Sequence, residues 1–172
     1  MGNGTRDQAW QDELIRLGGS IHQDHEPRLS EDEAAAQQAG IERYYELLDA
    51  FRSGEHLDEQ AVTAILWSLH PIQDYGIYEA AYGVLSVADG RTLGVATARV
   101  LPAWLRARGT HSSIEAAAGM AASDDDASEA FLAVAREWTG PDLDLVRATV
   151  DEWVLDDEDW EPIAEALGKV GS

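Results

Sequence analysis

From Asp7 to Gly168 apolar stripes at three- and four-residue spacing recur along the chain. Most are opened by a capping side chain and closed by glycine or proline. No stretch alternates apolar and polar residues in the period of a strand, so the pattern predicts an all-α fold. Thr5 or Asp7 caps a first helix reaching Leu17 and stopped by Gly18-Gly19, and residues 20–29 read as a loop. Ser30 with Glu33 forms a capping box for a long helix buried along Ile41, Tyr44, Tyr45, Leu48 and Phe51, with Gly54 at its end. Asp58 caps the next helix, which carries Ala61, Ile65, Leu66 and Leu69 on one side. His70-Pro71 closes it, because a residue before proline avoids the helical region.

The second half continues in the same way. Residues 72–88 are apolar on almost every face apart from Asp74 and Glu79, which predicts a central, covered helix ending at Asp89-Gly90. A helix over 91–108 contains Pro102, so a kink or break is expected near Ala98–Leu101. Ser112 with Glu115 reads as a second capping box ahead of Ile114, Ala117, Ala118 and Ala121. Asp124, Asp125 and Asp126 stand where acids favour a helix N-terminus, before the stripe Ala127, Ala130, Phe131, Val134, Ala135 and Trp138. Gly140-Pro141 opens a helix with Leu143, Val146, Val150 and Val154. A last helix holds Trp160, Ile163, Ala164 and Leu167.

Eight or nine helices joined by short turns suit helical hairpins stacked as a HEAT-like array, or an irregular bundle. Trp67, Trp104 and Trp138 stand 37 and 34 residues apart, close to one two-helix repeat. At 172 residues with 45% hydrophobic content, one domain over 1–172 is expected, with residues 1–29 a candidate for a loosely packed N-terminal arm.

Charge limits the partners. Twelve basic residues against 33 acidic ones give −21. That charge opposes direct binding of nucleic acid or an anionic membrane and draws in basic proteins. Residues 1–89 carry 17 acids and 5 bases, residues 90–123 one acid and four bases, and residues 124–172 15 acids and 3 bases. A uniform solvent-adapted coat does not predict that basic centre, although acidity serving only solubility is the competing reading. The absence of cysteine excludes disulfides and thiolate chemistry. Residues 1–7 lack the pattern of a signal peptide and no apolar run approaches a membrane span, so a cytoplasmic protein is expected.

Catalytic signals are missing, and the expectation is a non-enzyme without cofactor or metal. His22-x-x-His25 reads as a solvated loop, and Asp156–Asp159 lacks the glycine and spaced ligands of a calcium loop. His56, His70 and His111 have no triad companions, and no phosphate-binding glycine loop is present. Three clusters suit a binding surface. Tyr75, Tyr78 and Tyr82 fall on one helical face, with core packing as the competing reading. Asp151, Glu152, Asp156, Asp157, Glu158 and Asp159 surround Trp153 and Trp160, a favoured patch for a basic cleft. Asp124, Asp125 and Asp126 form the third.

The stretch Leu69-His70-Pro71 through Tyr75, Tyr78, Tyr82 and Leu85, followed by Leu101-Pro102-Ala103-Trp104-Leu105, resembles immunity proteins of bacterial polymorphic toxin systems. The resemblance covers residues 57–108 and implies a helical, often HEAT-like, non-enzymatic protein bound one to one to a cognate toxin domain. A net charge of −21 suits a nuclease cleft best. Competing expectations are a helical-repeat adaptor or scaffold, and a mimic of DNA charge that sequesters a basic protein.

Overall fold

A computed structural model describes residues 8–21, 27–52, 56–72 and 76–170. Among these residues every regular element is helical. The first hairpins are built from α1 (Gln8–Gly18), α2 (Glu31–Arg52), α3 (Glu59–Ser68) and α4 (Glu79–Leu85). There follow α5 (Gly90–Arg108), α6 (Ser112–Ala122), α7 (Asp125–Ala135), α8 (Gly140–Asp156) and, after a 3-10 turn at Glu158–Trp160, α9 (Glu161–Lys169).

Local chemistry sets most of these boundaries. The Ser30–Glu33 box forms as expected: the Ser30 N–H donates to the Glu33 carboxylate at 2.8 Å, and the Glu33 N–H donates to Ser30 Oγ at 3.3 Å. Asp58, Asp89 and Asp124 each accept a backbone N–H three residues on, at 2.8–2.9 Å. Each such cap contributes about 1 kcal/mol. At α6 the expected box is replaced. His111 is the cap, its Nδ1 accepting the Ser113 N–H at 3.1 Å, so the helix starts at Ser112.

Apart from α8, which packs on α5, α9 and the 3-10 turn, the helices alternate between two layers. In one, α1 packs on α3, α3 on α5, α5 on α7 and α7 on α9; in the other, α2 packs on α4, α4 on α6 and α6 on the 3-10 turn. Alternation of this kind is what stacked hairpins produce. Glycines allow the closest approaches within the first layer. A Cβ on Gly18 would stand 2.0 Å from the Ser68 carbonyl, and one on Gly94 2.0 Å from the Ala127 carbonyl. Gly90 likewise abuts Asp124 and Ala127, so α5 and α7 run in the same direction with their N-termini together.

Three expectations change. The central helix is α5 rather than residues 72–88, where, among the described residues, only Glu79–Leu85 is an α-helix. It is buried on nearly every side, from Leu93 and Gly94 to Trp104 and Leu105. Of the kink or break expected at Pro102, the break does not occur: α5 is continuous across Ala98–Leu101, clasped between α3 and α7. Nor is Gln8–Gly18 a loose arm. Trp10, Leu14 and Leu17 lie in the main core, and Trp10 meets Phe51 edge-on at 5.6 Å.

The half-buried His70-Pro71 turn, at the edge of the core, gathers polar side chains from several helices. Trp104 Nε1 donates to the Leu69 carbonyl at 3.1 Å, Ser113 Oγ to the His70 carbonyl at 3.0 Å, and Arg108 to the carbonyls of Trp67 and Leu69. Tyr78 accepts the His70 N–H at 3.0 Å and donates to the Gly18 carbonyl at 2.7 Å. The buried end of α3 is thereby satisfied by side chains from α5, α6 and the start of α4.

Candidate functional site

The three clusters singled out from sequence have different fates. Among the tyrosines, Tyr75 lies outside the described residues. Tyr78 is fully buried, which removes it from any binding surface, because its hydroxyl serves the turn just described. Tyr82 is half-buried and donates to the Ser113 carbonyl at 3.3 Å, joining α4 to α6. Tyr78 immediately precedes α4 and its carbonyl accepts the Tyr82 N–H at 2.9 Å, so of the two described tyrosines only Tyr82 lies within the helix.

At α7 the acids have a local explanation. Asp124 accepts the Ala127 N–H at 2.8 Å, while Asp125 and Asp126 stand in the first turn, where the helix dipole favours negative charge.

The C-terminal stretch separates into an inner and an outer half. Trp153 and Trp160 are 2% and 3% exposed and pack against each other at a tilt of 42°, ring centroids 4.7 Å apart, so they are core and cannot anchor a partner. Trp160 also packs over Gly119 of α6. By contrast Asp151, Glu152, Asp156, Asp157, Glu158 and Asp159 are all exposed. None of them joins an ion pair among the described residues. The nearby Arg147 is engaged elsewhere: its Nε and Nη2 donate to the Leu167 carbonyl at 2.8 and 2.6 Å, capping α9.

Two further residues complete this edge. Leu155 is 84% exposed, one helical turn beyond Asp151 and Glu152 and directly before Asp156. Glu115 reaches the same place from α6. Its carboxyl is raised above the ordinary range by partial burial and by the negative charges of Asp156 and Asp157. The signal for Leu155 was present in the sequence, since it falls off the stripe Leu143, Val146, Val150 and Val154. Glu115 carried none, because its proximity to Asp156 arises only from the packing of α6 on the 3-10 turn.

Some of these acids help the fold and others oppose it. Asp157 accepts the Asp159 N–H at 3.0 Å and caps the 3-10 turn. Asp156, in the last turn of α8, faces the negative end of the helix dipole, and with Asp157 it repels Glu115. The edge is thus a row of unpaired carboxylates, partly unfavourable to folding, around one solvent-facing leucine. Chemically it offers charge complementarity to a basic surface and a small apolar contact.

Among the described residues no helix is long and apolar enough to cross a membrane, and no group of three His, Cys, Asp or Glu side chains is arranged to hold a metal ion. Comparison with protein-family models, with curated proteins and with solved structures gives no match.

Proposed function

We propose that this protein is a non-enzymatic immunity protein, which neutralises a cognate toxin domain by laying the α8 edge into a basic cleft. The observation that carries the reading is Leu155, 84% exposed beside Asp151, Glu152 and Asp156, with Glu115 held close to Asp156 and Asp157. Unpaired charge that costs folding energy is understandable if it is compensated in a complex. Carboxylates steer encounter with a cationic cleft, and a desolvated leucine slows release. A nuclease is the favoured target because its cleft is shaped for phosphates, which the carboxylates of the edge replace.

Leu155 also favours anchored inhibition over a mimic of DNA charge resting on electrostatics alone. A pure mimic has no use for an apolar contact, and its affinity falls steeply with salt.

The experiment is co-expression with the protein encoded directly beside this one, scoring growth with and without this chain. Rescue from a toxic neighbour, with a co-purifying one-to-one complex weakened by Leu155→Asp, supports the proposal. A harmless neighbour that does not bind shifts weight to an adaptor role. Rescue left intact by Leu155→Asp together with Asp156→Asn keeps the immunity function and removes the α8 edge as its site.

A further inference from the structure

The acidic edge leaves unused the three arginines that make the middle of the chain basic. Arg91, Arg99 and Arg106 fall on one outward stripe of α5, with Val95, Pro102 and Ala103 between them. Beside this stripe runs a groove of about 570 Å³ along α5 and α7. A second hollow of about 260 Å³ continues it past Arg99, Val134 and Glu137 toward Trp138. Val95, Ala130, Ala133 and Val134 supply its apolar lining, between charged side chains. One wall is basic, formed by the α5 arginines. The other is acidic, formed by Asp126, Glu129 and Glu137.

We infer that this groove docks an amphipathic helix of a partner protein, apolar along one stripe, with carboxylates on one flank and basic side chains on the other. Three observations specify that occupant. Opposite signs on the two walls match neither a uniformly basic nor a uniformly acidic segment, but they do match a helix whose flanking positions differ in sign. From Arg91 to Arg106 the stripe spans about 22 Å at 1.5 Å per residue, or about four turns of a docked helix. Among the described residues Arg91, Asp126, Glu129 and Glu137 have no ion-pair partner, so their charge is available. The Arg99–Glu59 and Arg106–Asp142 pairs are solvent-exposed on the arginine side and exchange at little cost.

The groove is also pre-formed. Gly94 brings α5 against the Ala127 backbone, and Gly90 packs beside Asp124, so the two helices are fixed in their parallel setting before anything binds. A rigid receptor loses little entropy on association. The inference is independent of the toxin reading, since it concerns α5 and α7 and requires nothing of Leu155.

The test uses a synthetic helical peptide of roughly 16 residues, with leucine along one stripe, glutamate on one flank and lysine on the other. Fluorescence anisotropy against the full chain reads affinity, and amide chemical shifts locate the contact. Binding is expected, with shifts concentrated in α5 and α7. Ala133→Trp, at an exposed helical position, fills the groove and weakens binding about tenfold or more. Arg91→Glu weakens it about three- to tenfold, and a peptide whose glutamate flank is changed to lysine recovers most of that loss. The inference is overturned if the mixed-charge peptide does not bind at millimolar concentration. It is equally overturned if Ala133→Trp leaves affinity unchanged, or if shifts cluster on the acidic α8 edge, because the lysine flank is then merely attracted to bulk negative charge.

Discussion

Arg108 holds Trp67 in two ways at once: its guanidinium lies 5.0 Å over the indole ring and donates to the Trp67 backbone carbonyl at 2.9 Å. Trp104 borders the same cation at 5.5 Å, and the Leu69 carbonyl takes a further hydrogen bond. One side chain from the end of α5 thus closes the C-terminus of α3 and fills the space between two tryptophans. Lysine keeps the charge but loses the planar fork and the stacking. Arg108→Lys is therefore expected to cost about 1–3 kcal/mol in urea unfolding with an unchanged slope. A loss within error makes the contact ornamental.

His70 belongs to the same centre. Burial first, and then the positive charge of Arg108, together push its pKa down from 6.5 to about 4, against the smaller opposing effect of a backbone hydrogen bond with Ile15. The folded state therefore holds His70 neutral while the unfolded chain protonates near 6.5. Stability from this group is present above pH 6.5 and lost as pH falls toward 4. Screening of the half-buried ring reduces the effect to about 1–2 kcal/mol. Its clearest measure is the difference between the parent and His70→Gln across that window, which subtracts the pH response of the many carboxylates. Parallel stability curves for the two proteins count against a neutral buried imidazole.

Gly94 and Gly168 make a matched pair. A methyl at Gly94 meets the Ala127 carbonyl at 2.0 Å, so Gly94→Ala must push α5 from α7 and is expected to cost about 2–3 kcal/mol. At Gly168, near the end of α9, an added Cβ meets nothing within 4 Å, and Gly168→Ala gains up to about 1 kcal/mol from helix propensity. Thermal melts of both variants check the sign of each.

The α8 edge sets folding against binding. Asp156→Asn relieves repulsion with Glu115 and removes a negative charge from the wrong end of the helix dipole. It is expected to raise stability by a few tenths of a kcal/mol. Leu155→Ala leaves the fold untouched, since the side chain faces water. In complex with a basic partner the same two changes act oppositely, Asp156→Asn slowing association and Leu155→Ala speeding release. Stability and binding that move together in either variant would contradict this division.

Much of the fold was legible because helix caps act over three residues. Ser30 with Glu33, Asp58 and the Asp124–Asp126 run mark their helix starts from their own neighbourhoods, whereas Asp89 reads from sequence only as a turn. The α6 cap was not legible, because His111 competes with Ser112 through a ring nitrogen that no capping pattern weights. Burial of the aromatic residues was equally hidden. Tyr78 is committed by a carbonyl sixty residues away in the chain, and Trp153 and Trp160 bury each other across the α8–α9 junction. Exposed aromatics and core aromatics share one composition; only long-range packing separates them. The carboxylates of the candidate edge are exposed, whereas the two tryptophans grouped with them are buried.

Alternate layering of the hairpins has a consequence for how the molecule opens. Each hairpin leans on its sequence neighbours, so resistance to unfolding is graded from the middle outward instead of being shared equally. Amide protons of α5, enclosed by α3 and α7, should exchange with solvent only when the whole stack dissolves. Those of α9, braced mainly by α8 and α7, should exchange through private, shallow openings that spare the rest. The chain would then behave as a bound stack of pages, loosest at its last leaf and tightest along the spine that Pro102 fails to break.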